Sequence, residues 1–255
     1  MNEGTDYRRW RAPDPRCVFL LVHGLGTYVA RWEAMANFFQ NKGASSYAVN
    51  LPRLPGMSDY YNQILSLKDI AIAENPGKKV FLVGESLGAL ASFLIVVRNP
   101  GSFAGLICIS PAFAGKRPVK FRETIKIVSA LFYRPTKKID LPFDSSMCTR
   151  DKYYRNKLNK DPLEYRTASA RLVVDILIAQ MKAKAVSKDL KDSVLFLIAG
   201  ADTIVDSAVS RKVFDDIGSS DKTFLEFPEM YHALSIELGK ENMFEELLGW
   251  VNNRL

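Results

Sequence analysis

The chain has 255 residues, 47% of them hydrophobic, enough for one sizeable core. Three cysteines, an odd number with no CxxC pair, argue against a disulfide framework or a zinc site. The formal charge of +7 is concentrated, because residues 113–190 alone hold 18 Lys and Arg against 8 Asp and Glu. By its charge such a segment could face nucleic acid, an anionic membrane surface or an acidic substrate, or simply be a solvated face; charge argues solubility before partners, and no nucleic-acid partner is expected.

In chain order, the first 16 residues are polar and charged, unlike a signal peptide. The most apolar stretch, "LGALASFLIVV" at residues 87–97, is too short to span a bilayer. A soluble, cytoplasmic protein is expected. "CVFLLVHG" (17–24) is a continuous apolar run, the signature of a strand buried on both faces. The same signature recurs at 79–86, 103–110, 194–200 and 222–228, with a weaker case at 45–52. Helical patterns lie between. "RWEAMANFFQNKG" puts Trp32, Met35, Phe38 and Phe39 on one face and stops at Gly43. "SLGALASFLIVVRN" is apolar nearly all round, as a helix against a sheet would be. The last segment repeats Met243, Leu247, Trp250 and Val251 at helical spacing. Strands alternating with helices predict an α/β fold with a mostly parallel sheet covered on both faces.

The alternation breaks at 112–191, where helices are predicted over 119–134 and 165–184 and no strong strand signal appears. This helical insertion reads as a cap, with residues 1–111 and 192–255 forming the α/β core. The helix near Phe121 and Phe132 mixes apolar and basic residues, which suits transient contact with a membrane surface.

"GESLG" (84–88) fits G-x-S-x-G between an apolar strand and a helix. A nucleophile there needs a sharp turn that exposes its hydroxyl, flanking glycines that give room, and a helix N-terminus that favours negative charge. Ser86 is therefore the candidate catalytic nucleophile. The chain has only two histidines. His232, in "PEMYHALS", follows the last strand and fits the order Ser, acid, His; it is the candidate base. Asp202, just past a strand end in "IAGADTIVD", is the candidate orienting acid, and Asp206 suits a capping role. His23 precedes the nucleophile and is read as bracing local backbone. The oxyanion donors are expected to be the backbone N–H groups of Leu25, in "HGLG", and Leu87.

Together, "HGLG", "GESLG", "AGADTIVD" and "MYHALSIE" resemble an α/β-hydrolase of the monoacylglycerol lipase and lysophospholipase group. The resemblance runs from about Tyr7 to Leu255, with "DPLEYRTASARL" its most similar part inside the cap. It implies a Ser86–His232–Asp202 triad, an acyl-enzyme, no cofactor and no metal. Three departures stand out. "LPRLPGMS" (51–58) keeps Arg53, Gly56 and Ser58 of the family's stretch but loses its acid, one glycine and its histidine. Residues 59–79 are few enough that the usual helix there is expected to be trimmed, and there is room for one strand before Cys17. The expected activity is hydrolysis of carboxylic esters with an apolar acyl chain, most plausibly monoacylglycerols or similar lipids. A general carboxylesterase on short or aromatic acyl esters is the alternative. A peptidase, or a binding protein on a hydrolase scaffold, ranks lower.

Overall fold

The computed structural model describes residues 6–51, 56–117, 129–131 and 133–255. Every apolar run predicted as a strand is one. The strands are β1 (Tyr7–Trp10), β2 (Cys17–Val22), β3 (Ser45–Val49), β4 (Lys79–Glu85), β5 (Gly105–Ile109), β6 (Lys138–Asp140), β7 (Thr167–Ser169), β8 (Val194–Ala199) and β9 (Lys222–Phe227). Seven of them form one sheet in the order β1-β3-β2-β4-β5-β8-β9. All its pairs are parallel except that of β1, which runs antiparallel to β3 at the edge.

Because successive side chains point to opposite faces, each central strand feeds two cores. Val18, Leu20 and Val22 of β2 pack in one cluster with Leu90 and Phe93. Phe19 and Leu21 pack in the other with Trp32, Phe39 and Trp250. The first face is covered by α2 (Met57–Glu74) and α3 (Leu87–Arg98), the second by α1 (Glu33–Asn41) and the C-terminal α8 (Lys240–Asn252). Gly43, at φ +79, ends the chain's first α-helix as the sequence predicts.

The helix at 59–79 is not trimmed. α2 runs for 18 residues and begins inside "LPGMS". Gly56 precedes it, and a Cβ there would lie 2.6 Å from Oδ2 of Asp175. That oxygen accepts the Met57 N–H at 3.2 Å, serving one of the first amides of the helix. Arg53 lies outside the described residues.

Between β5 and β8 stand α4 (Ser145–Cys148), α5 (Lys152–Lys160) and α6 (Ala170–Ala185). The helix predicted over 119–134 lies largely outside the described residues. The second predicted helix, α6, starts at Ala170 because 167–169 pair with β6 instead, and Ser169 Oγ caps it by accepting the Leu172 N–H at 3.1 Å. This antiparallel ladder was not predicted; three residues per strand are too few to show alternation. Leu172, Ala179 and Ala183 of α6 join the same apolar cluster as α3. The remaining helix, α7 (Ser207–Asp216), follows β8. Among the described residues no helix is long and apolar enough to cross a membrane.

Candidate active site

Ser86 sits alone between β4 and α3, at φ 57 and ψ −117. A non-glycine residue there is strained by roughly 1–3 kcal/mol, so its surroundings must hold it. They do: Ser86 N–H donates to Ile109 O at 2.9 Å, and its carbonyl accepts from Leu90 and Ala112, each at 3.1 Å. The glycines on either side are forced by packing. A Cβ on Gly84 would meet the Gly88 backbone at 2.5 Å, and one on Gly88 would meet Val22 O at 2.1 Å. The turn therefore needs the glycines of G-x-S-x-G to let the helix approach the strands.

His232 and Asp202 come together from two loops past the carboxyl ends of β9 and β8. The imidazole Nδ1 and Asp202 Oδ2 are 2.7 Å apart, and both residues are buried. Asp202 Oδ1 accepts the N–H groups of Ile204 and Val205 at 2.7 and 2.9 Å. Burial works against the carboxylate, but the imidazole and these hydrogen bonds outweigh it and hold its pKa below the usual carboxylate value. Burial also works against a charged imidazole, yet Asp202, and then Glu85, lift the His232 pKa above the usual histidine value. With Nδ1 engaged by Asp202, Nε2 is the ring nitrogen available to the serine. Asp206 instead caps α7, accepting the Ala208 N–H at 3.0 Å.

His23 takes no part in that pair. Its Nδ1–H donates to Gly24 O at 2.8 Å, and its Nε2 accepts the Leu51 N–H at 3.1 Å. The two bonds define its tautomer, and complete burial lowers its pKa to about 4. It is a neutral brace between the β2 and β3 ends. Gly24 lies against Ser86: a Cβ on it would be 3.1 Å from Ser86 Cβ and 3.7 Å from Ser86 Oγ. Among the described residues neither the Leu25 nor the Leu87 N–H donates a hydrogen bond. Gly26, at φ +83, is the second close approach: a Cβ there would meet Tyr165 O at 2.5 Å.

Ser86, Leu25, Leu87 and His232 all line one open cavity of about 710 Å³. Most of its wall is apolar, including Leu141, Val173, Leu177, Met181 and Ile204. One side is polar and was missed by sequence reasoning. Arg31 and Glu164 form a buried ion pair at 3.3 Å, and Thr27 Oγ1 donates to Glu164 at 2.8 Å. Tyr28 Oη donates to Asp161 at 2.6 Å, and Tyr165 N–H to Gly26 O at 2.9 Å. Glu164 lies in "DPLEYR", the part of the insertion that carries the resemblance, which was the available signal. Glu85 is the variable residue of "GESLG"; a charged side chain ending a buried strand was its signal.

This fold and this strand-to-helix serine define an α/β hydrolase. The family model described as serine aminopeptidase, S33, matches residues 13–239, and the chain belongs to that family. It is 27% identical to the human monoglyceride lipase, over 97% of this chain and 86% of that protein. It is 26% identical to phospholipase YtpA of Bacillus subtilis, over 92% of this chain and 95% of that protein. Among solved structures, the monoacylglycerol lipase of Paleococcus ferrophilus superposes with a TM-score of 0.88 at 23% identity, covering 98% of this chain and 100% of that one. A soluble variant of the Saccharomyces cerevisiae monoglyceride lipase, in complex with a substrate analog, gives 0.88 at 21% identity, over 97% and 91%.

Proposed function

We propose that the chain is a serine hydrolase of carboxylic esters with a sizeable apolar acyl group, monoacylglycerols first among them. The observation that carries this reading is that Ser86 and His232 share the wall of one large, mainly apolar cavity, with Asp202 behind the imidazole. The relatives whose names specify monoglycerides point the same way. Residues 112–191 are the cap that supplies much of the apolar wall.

In this mechanism Nε2 of His232 takes the proton of Ser86 Oγ as that oxygen attacks the ester carbonyl. The N–H groups of Leu25 and Leu87 hold the oxyanion. His232 then protonates the departing alcohol, leaving the acyl group on Ser86. A water molecule gives its proton to the same nitrogen and attacks the acyl carbon; the fatty acid leaves and Ser86 regains its proton. Asp202 keeps the imidazole in the tautomer that presents Nε2, and stabilises the imidazolium.

The test is hydrolysis of an ester panel graded by acyl length and by alcohol, with Ser86→Ala as control. Medium or long acyl glycerides should be preferred. A preference for acetyl or aromatic acyl esters would instead favour the general carboxylesterase, and turnover of N-terminal peptides but no ester would favour a peptidase.

A compatible second reading is transient contact of the cap with a lipid surface. It is supported by Ile178 and Met181, 44% and 71% exposed at the cavity, beside the basic Lys182 and Lys184.

A further inference from the structure

Glu85 ends β4 and immediately precedes Ser86. A carboxylate at a buried strand end is costly unless its oxygens are satisfied, and this residue is only 3% exposed. Both oxygens find the same partner. Oε1 accepts the Ser235 N–H at 3.1 Å and Oε2 accepts the Ser235 hydroxyl at 3.0 Å. Ser235 is fully buried in the short turn Leu234–Ile236, three residues after His232. The other side of that turn is held by Ala233 N–H, which donates to Cys148 O at 2.8 Å.

The charges matter as much as the bonds. Three charged groups act on the His232 imidazole: Asp202, Glu85 and Arg31. Arg31 is answered by Glu164 at 3.3 Å. Among the described residues, Glu85 has no cation within ion-pair distance. Its negative charge bears on Arg31 as well, through space, and is felt by the ring. Neither hydrogen bond requires this charge, since a neutral amide would make both, so the charge itself asks for an explanation.

We propose that Glu85 is a positioning residue for the hydrolysis: it fastens the His232 turn to the strand bearing Ser86, and its charge stabilises the imidazolium formed when His232 takes the serine proton. This rests on the triad reading above. Among the described residues the Glu85 side chain hydrogen-bonds to neither Ser86 nor the His232 ring; it acts through Ser235 and through space.

Glu85→Gln separates the two effects. The amide oxygen still accepts the Ser235 N–H and the amide nitrogen donates to the hydroxyl, so the tie survives and only the charge is lost. The chain has two histidines, and His23 stays neutral down to about pH 4, so the His232 ring is readily followed by nitrogen-15 NMR. In Glu85→Gln the His232 titration should fall by roughly half a pH unit or more, with the acid limb of kcat/KM on a soluble ester moving the same way. kcat should drop about 3- to 30-fold. In Ser235→Ala, which keeps the charge and weakens the tie, the titration should hold while kcat falls and phosphonate labelling of Ser86 slows. An unmoved His232 titration in Glu85→Gln overturns the proposal. If that variant does not fold, an unchanged kcat in Ser235→Ala overturns it instead. Ser86→Ala keeps the two readings apart. If it retains full activity, the triad reading fails. If it is inactive while the Glu85→Gln titration stands still, only the role of Glu85 fails.

Discussion

Nδ1 of His232 lies 2.7 Å from Oδ2 of Asp202, and the other oxygen of that carboxylate is taken by two backbone amides. The carboxylate is thus fixed before it orients the ring. Its pKa is lowered and that of His232 raised. A general base must be neutral, so the acid limb of kcat/KM should lie above the ordinary histidine value of 6.5. For stability the signs differ between the partners. His232 stabilises the fold below its unfolded-state pKa, and the contribution is lost as pH rises through the folded value. Asp202 stabilises above its unfolded-state pKa, and that is lost as pH falls through the folded value. Asp202→Asn should lower kcat on the order of 10³- to 10⁴-fold and move the acid limb down, as read from pH–rate profiles.

His23 carries the opposite shift. Its folded pKa of about 4 lies below the unfolded value, so the unfolded chain binds a proton that the folded chain refuses. Stability should therefore fall as pH drops from about 6.5 to about 4, by up to ~3 kcal/mol from this group alone. In His23→Ala that part of the pH dependence should vanish from urea-unfolding midpoints measured across the range. The same variant leaves Gly24 O and Leu51 N–H without their partner, costing about 1–3 kcal/mol. Ser86 should still react with a phosphonate in His23→Ala, more slowly, and should fail to react in His232→Ala.

The positive φ of Ser86 would set its proposed role against stability. Glycine populates that region freely. Ser86→Gly should therefore be more stable than Ser86→Ala by about 1 kcal/mol or more in thermal unfolding, with both variants inactive. Equal stability of the two would mean the turn is not strained.

Met181 is the more exposed of the two apolar residues of the proposed lipid contact. Met181→Glu should cut hydrolysis of monoacylglycerol presented in anionic vesicles severalfold while leaving a soluble short-chain ester unaffected. Parallel losses on both substrates would show that the residue serves the cavity rather than the surface.

The sequence made legible what is encoded locally. The sheet was readable because strands buried on both faces are written as continuous apolar runs, as in Phe19 to Val22. The turn that carries Ser86 was readable because a tight strand-to-helix turn demands glycines at fixed spacing. What escaped was encoded by partners far apart. Arg31 and Glu164 are 133 positions distant, and Glu85 and Ser235 150, so no window shows that the charges are matched. α2 escaped because its start lies in a glycine and proline stretch that reads as loop, and because the Asp175 carboxylate that caps it comes from α6. β6 and β7 were too short for periodicity to register.

The loop from Gly26 to Arg31 is joined to residues 161–165 by an ion pair, two side-chain hydrogen bonds and a backbone hydrogen bond. Leu25 immediately precedes this loop. Under the proposed mechanism, in which the Leu25 amide holds the oxyanion, prising residues 161–165 outward to admit a bulky substrate would pull on the segment that carries that amide. The ties do not involve Met181, so under that reading the Met181 stretch of the cavity rim is the way in for a long acyl chain, and the breadth of substrates tolerated would follow from how far it yields.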